Sequence, residues 1–135
     1  VCNLGSVNLG AMVRPDASGA LAFDFDRLAE VVRLAEQFLD RVVDINYYPT
    51  DEAGNSNSKW RPVGLGLMGL QDVFFKLRLP FDSDEARELS TRISEEIYFH
   101  ALTASNELAA QHGPHGGWDE SRAAKGQLQF DLWGV

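Results

Sequence analysis

The feature that most limits what this chain can fold into is a pair of apolar, glycine-containing runs set far apart. The first, "VCNLGSVNLGAMV", covers Val1 to Val13; the second, "VGLGLM", covers Val63 to Met68. Each reads as a strand, the first with a short polar interruption. Apolar strands with little polar alternation are expected where both faces of a sheet are covered. On the first run Cys2, Leu4 and Ser6 fall on one face, and Asn3 and Gly5 on the other. The segment between the runs is largely helical in pattern. The order strand, helix, strand, helix, helix therefore predicts a parallel α/β unit, because parallel strands need a long crossover between them.

The helical segments can be placed by their caps and stripes. "RPDASG", Arg14 to Gly19, is expected to be a turn or exposed loop. Asp26 is the expected N-cap of a helix reaching about Asn46, with Leu28, Val31, Val32, Ala35, Phe38, Leu39, Val42 and Val43 as its apolar stripe. Glu30, Arg33, Asp40 and Arg41 are its polar positions. "NYYPTDEAGNSNSKW", Asn46 to Trp60, is expected to be a polar loop, since Tyr48 precedes Pro49 and is biased away from helix. A short helix from about Leu70 to Leu77 ends before Pro80. Asp82 with Glu85 suggests a capping box for a long helix from about Ser83 to His112. Ala86, Leu89, Ile93, Ile97, Ala101 and Leu108 form the apolar stripe of that helix, and "HGPHGG" ends it. The tail from Ala123 to Val135 is less regular, and no internal repeat is present.

Gly64, Gly66 and Gly69 match G-x-G-x-x-G, which raises a nucleotide-binding reading. That reading needs glycines that end a strand and open a helix, then a second strand ending in an acid. Asp82, Asp84 and Glu85 sit instead at a helix start, and "KLRLPF" is too short for the second strand. In an extended segment Gly64, Gly66 and Met68 share a face, with Leu65 and Leu67 opposite. The leucines would pack under helices, and the glycine face would leave room for another backbone or a ligand. An α/β nucleotide-binding module using the turn from Gly64 to Gly69 stays as the alternative, and a purely structural interaction domain as a third.

Composition narrows the partners. A formal net charge of −8 with no run of Lys or Arg argues against a nucleic-acid surface or an anionic membrane surface. No apolar stretch is long enough to span a bilayer. The first residues lack the basic start and apolar core of a secretory signal. A single cysteine excludes an internal disulfide within these 135 residues, and a reducing, cytoplasmic setting is expected. The chain opens on Val1 inside an apparent strand, so it is expected to be a piece of a longer polypeptide. Read from the residues alone, Cys2 is a small buried hydrophobe. His100, His112 and His115 have no convincing metal spacing, and Glu95 and Glu96 diverge from each other on a helix.

Three stretches together resemble a known family. "VCNLGSVNL", "RPVGLGLMGLQDVF" and "ISEEIYFHALTASNELAAQHGP", in this order and spacing, are similar to the large, catalytic subunit of aerobic ribonucleotide reductases, over nearly the whole chain. The resemblance implies that residues 1–135 are one incomplete domain from the second half of a ten-stranded α/β barrel, spanning about two of its strands. It implies an oxidoreductase that removes the 2′-hydroxyl of a ribonucleoside di- or triphosphate by thiyl-radical chemistry. Cys2 would be the second of two redox-active strand cysteines, its partner lying outside this chain. Leu4, on the same face, would contact the nucleotide or simply pack.

The resemblance also implies what lies elsewhere. The Asn-x-Cys-x-Glu loop with the thiyl cysteine belongs upstream and the phosphate-binding loop downstream, so this segment alone is expected to be inactive. No cofactor or metal is expected within it. The parent would use a metal-radical small subunit or adenosylcobalamin, and the "KWRPVGLGLMGLQDVF" stretch favours the subunit-dependent class. Thioredoxin or glutaredoxin would be the reductant, and the parent would be a homodimer.

Overall fold

The computed structural model describes residues 1–133; Gly134 and Val135, the end of the irregular tail, lie outside the described residues. Two strands form its central feature. β1 (Asn3–Asn8) and β4 (Val63–Met68) pair in parallel, with Asn3 opposite Val63, Leu4 opposite Gly64 and Ser6 opposite Gly66. Both apolar runs thus contain strands, and the long crossover between them is what parallel pairing needs.

The first run does not stay extended to Val13. After β1, a 3-10 turn (Leu9–Met12) is capped by Asn8, whose side-chain oxygen accepts from the Gly10 amide. The chain then forms a small antiparallel hairpin from β2 (Val13–Pro15) and β3 (Leu21–Phe23). The loop expected from Arg14 to Gly19 is therefore shorter, because Arg14 and Pro15 are already strand. Its tip is held by Asp16, whose carboxylate accepts from the Ser18 and Ala20 amides.

α1 (Phe25–Ile45) is capped by Asp24, not Asp26. The Asp24 carboxylate accepts from the Arg27 amide at 2.8 Å, and Asp26 becomes a first-turn acid. Two aspartates with the same spacing from an aromatic, Phe23-Asp24-Phe25-Asp26, make both registers readable in sequence. Leu28, Val32 and Val43 of the expected stripe are buried, whereas Phe38 is exposed and Glu36 is buried in its place. α3 (Leu70–Leu77) starts as expected from Gly69. α4 (Asp84–His112) is capped by Ser83 rather than Asp82, with Ser83 Oγ accepting from the Ala86 amide.

The largest departure is α2 (Asp51–Trp60), which occupies most of the expected loop. Thr50 caps it, and its Asn57 is fully buried, donating to the Tyr48 hydroxyl. Weak local propensity is overridden here by anchoring to the rest of the fold. Arg61 ends α2 in a left-handed conformation and ion-pairs with Asp40 and Asp44 of α1, each at 2.7 Å.

The core lies on one side of the β1–β4 pair. Val7, Leu9, Leu28, Val32, Val73 and Ile93 are buried there between strands, α1, α3 and α4. Each such side chain contributes about 1.5–3 kcal/mol relative to exposure. Arg33 of α1 adds a forked pair to Glu107 of α4, both bonds 2.6 Å. Among the described residues no helix is long and apolar enough to cross a membrane.

Candidate functional site

Parallel pairing gives the β1–β4 ribbon two unlike faces. Asn3, Gly5 and Val7 of β1 turn toward the helices. Asn3 is buried and its side-chain amide donates to the Leu39 carbonyl of α1, while Gly5 lies against the Leu39 side chain. This packing forces the alternate residues, Leu4 and Ser6, and the preceding Cys2, onto the other face. Leu4 is 78% exposed, and Cys2 is exposed as well. The alternation expected from sequence is present, and the open face is the one carrying the thiol.

Cys2 is therefore not the small buried hydrophobe that a lone cysteine in an apolar run suggests. Its thiol has only a long contact, 3.7 Å, to the Asn3 carbonyl oxygen. It lies beside β4: a methyl group added at Gly64 would come within 3.5 Å of the Cys2 sulfur and 2.6 Å of a Leu4 terminal carbon. A methyl at Gly66 would stand 3.1 Å from the Ser6 hydroxyl. The glycines of β4 thus make room that the side chains of β1 lean into. Leu4 packs across Gly64 yet keeps most of its surface free.

Gly69 has a separate reason to be glycine. It sits at the N-cap of α3 with φ of 77°, and an added methyl would meet Asn8 Oδ1 at 3.0 Å and Asp72 Oδ2 at 3.3 Å. The glycine string does end a strand and open a helix. The α3 N-terminus, however, already faces the Asp72 carboxylate and the Asn8 side chain, where a phosphate would need to sit. No strand follows α3 among the described residues. A phosphate cradle from Gly64 to Gly69 does not match this geometry.

The strand ends carry a second feature that sequence reasoning missed. Asn8, Gly10, Ala11, Asp72, Phe75 and Lys76 line a cleft of about 420 Å³ beside the C-terminal ends of β1 and β4. Lys76 donates to the Gly10 carbonyl at 2.6 Å and so clamps the 3-10 turn onto α3. The available sequence signal was Asn8 two residues before Gly10, the spacing of an Asx turn.

The histidines do not join the open face. His100 Nε2 lies 3.3 Å from Glu96 one turn back on α4. His112 ends α4, and His115 sits between Trp60 and Trp118 with Nδ1 accepting from the Gly117 amide. Among the described residues no three of His, Cys, Asp and Glu converge as a metal site. Elsewhere, burial and the nearby Asp40 charge raise the pKa of Glu36 above the ordinary carboxylate range. The Arg61 guanidinium lowers that of Asp44.

A two-stranded parallel pair, covered by helices on one face and open on the other with a thiol exposed, is an α/β unit of the kind from which an α/β barrel is built. A family model described as the barrel domain of ribonucleotide reductase matches residues 1–135. The chain is 50% identical over 135 residues to the ribonucleoside-diphosphate reductase large subunit of Caenorhabditis elegans, covering 100% of this chain and 17% of that protein. It is 48% identical over 134 residues to the large chain 2 of that reductase in Saccharomyces cerevisiae, covering 98% of this chain and 15% of that one. For the large chain of Neurospora crassa the identity is 46%, over 100% of this chain and 14% of the relative. The chain belongs to the ribonucleotide reductase barrel-domain family. It spans about a sixth of the length of these curated relatives.

Proposed function

We propose that the chain is the part of a ribonucleoside-diphosphate reductase catalytic subunit that carries one of its two redox thiols, and that this thiol is Cys2. The observation that supports the reading best is the exposure of Cys2 on the glycine-lined open face of a rigid strand pair. A thiol held there meets a bound substrate in fixed geometry rather than by chance encounter. The names of the relatives, ribonucleoside-diphosphate reductase large subunits or large chains, support the substrate class and a smaller partner subunit.

The chemistry balances with two thiols. The substrate loses its 2′-hydroxyl as water and gains hydrogen at that carbon. Two thiols supply two electrons and two protons and close into a disulfide. The second thiol and the radical-bearing cysteine lie outside these residues. What this chain supplies is the position of one sulfur and the surface around it. Leu4, beside Cys2 and largely uncovered, offers an apolar contact to the nucleotide. An external dithiol, such as thioredoxin or glutaredoxin, then reopens the disulfide by exchange, which requires an accessible sulfur.

Replacing Cys2 by Ser in the intact parent protein tests the assignment. Repeated turnover with a dithiol reductant should be lost while substrate still binds. Full turnover by Cys2→Ser would remove Cys2 from the redox pair.

A further inference from the structure

Asn3 is the one residue with a polar side chain on the covered face of β1, where its companions are Gly5 and Val7, and only 8% of its surface is exposed. Strands disfavour asparagine, and a buried amide is costly unless it is hydrogen-bonded. The Asn3 side-chain nitrogen donates to the Leu39 carbonyl of α1 at 3.4 Å. Its backbone N–H donates to the Pro62 carbonyl, just before β4, also at 3.4 Å. Cys2 lies next to it, ahead of the first ladder pair, Asn3 with Val63. Among the described residues the thiol's one polar contact is the Asn3 carbonyl oxygen. The place of the sulfur therefore follows from where Asn3 is held.

The strand pair alone sets its register weakly. β4 repeats itself, Gly64-Leu65 and then Gly66-Leu67, so a slip of two residues keeps glycines and leucines on their own faces. Glycine-rich strands are prone to such slips. A slip of two carries Cys2 about 7 Å along the pair, and a slip of one turns it to the covered face. The Asn3 amide removes this freedom. If β1 slipped by two against α1, Val1 or Gly5 would face the Leu39 carbonyl, and neither has a side-chain donor. Fixing register is the best-attested use of a buried polar group. β4 is fastened at the same place: Arg61, two residues before Val63, donates to the Asp40 carbonyl of α1 at 2.9 Å. Both strands thus hang from consecutive carbonyls of one helix. We propose that Asn3 is a positioning residue for the Cys2 thiol, its amide on the Leu39 carbonyl fixing β1 against α1 and so the sulfur on the open face. This rests on the reading of Cys2 as one thiol of a redox pair.

The intact parent protein tests this through Asn3→Leu, which fills the site without a donor, and Asn3→Ala, which cannot overfill it. The main readout is the equilibrium constant of the Cys2 disulfide against dithiothreitol under native conditions, which measures how well the two sulfurs are aligned in the folded protein. Single-turnover rate and KM are measured beside it. Loss of the hydrogen bond is expected to lower the constant roughly two- to tenfold, to slow single turnover and to leave KM unchanged. Val73→Ala, a core change on α3, is expected to lower the denaturation midpoint and leave the constant as it is. A constant unchanged in both Asn3 variants, with only the midpoint lowered, overturns the proposal and leaves Cys2 in the redox pair. No disulfide at Cys2 during turnover of the unsubstituted protein removes the redox reading itself, and the proposal with it. Structures of the intact protein in its reduced and disulfide forms give a readout that needs no variant. The Asn3 amide on the Leu39 carbonyl in both forms supports the proposal; the amide turned elsewhere in either form overturns it.

Discussion

Gly64 and Leu4 sit opposite each other in the strand pair, and their relation shows what glycine does here. The space above Gly64 is occupied by the leucine side chain, which can rotate away. Gly69 is different, because its backbone is left-handed and its surroundings are the Asn8 and Asp72 side chains and the Gly10 amide. Gly64→Ala is therefore expected to be tolerated, with a cost of about 1 kcal/mol or less as Leu4 shifts. Gly69→Ala is expected to cost more, about 1–2 kcal/mol from the backbone alone, before any displacement of Asn8. Urea denaturation of the two variants checks the order; equal midpoints would contradict it. The sequence made the faces of β1 and the small-residue character of β4 legible, since both follow from a period of two. It did not show that Cys2 would be exposed. Burial of a thiol depends on which face the helices choose, and Asn3, a polar residue, is on the covered one.

The helices show where capping and packing decide against local signals. Asp24 and Ser83 are the caps, each one or two places from the residue that composition favours, because the choice depends on which side chain can reach the N3 amide. α2 was unreadable for another reason. "DEAGNSNSKW" has a glycine and four serine or asparagine residues of weak helix propensity in its middle. What holds it is tertiary: Asn57 buried under Tyr48, and Arg61 bridging to two acids of α1. Arg61→Ala should therefore loosen α2 from α1, destabilising by about 1–3 kcal/mol through loss of charged hydrogen bonds. The effect should depend on pH. Asp44 titrates below its ordinary value because Arg61 holds its anion, so the stabilisation is complete above the unfolded value near 3.8. It disappears as pH falls through the lowered folded value. Chemical denaturation at pH 7 and pH 2.5 should show a gap between Arg61→Ala and the unsubstituted protein that narrows in acid. An unchanged gap would mean that Arg61 acts through packing alone.

At the scale of the whole molecule, the parallel unit was readable because strand spacing and the long crossover restrict the topology, whereas its place in a barrel was implied only by the resemblance of three stretches to a known family. The small β2–β3 hairpin was not, since strands of three residues carry no periodicity to detect. The two faces of the β1–β4 pair explain why a nucleotide pattern in the sequence does not make a nucleotide-binding turn. Gly64 and Gly66 lie within a strand, and the helix start that Gly69 caps is occupied by Asp72. Titration of this chain with NAD or ATP is expected to give no tight binding; saturable binding lost in Gly69→Ala would restore the phosphate-loop reading. The central claim concerns the thiol on the open face, and its most direct measurement is disulfide mapping. The intact, prereduced parent protein is given ribonucleotide without an external reductant, quenched with an alkylating agent and digested. The account predicts that the Cys2 peptide becomes disulfide-linked to a second cysteine in proportion to deoxyribonucleotide formed. Cys2 recovered fully alkylated while product accumulates would contradict it.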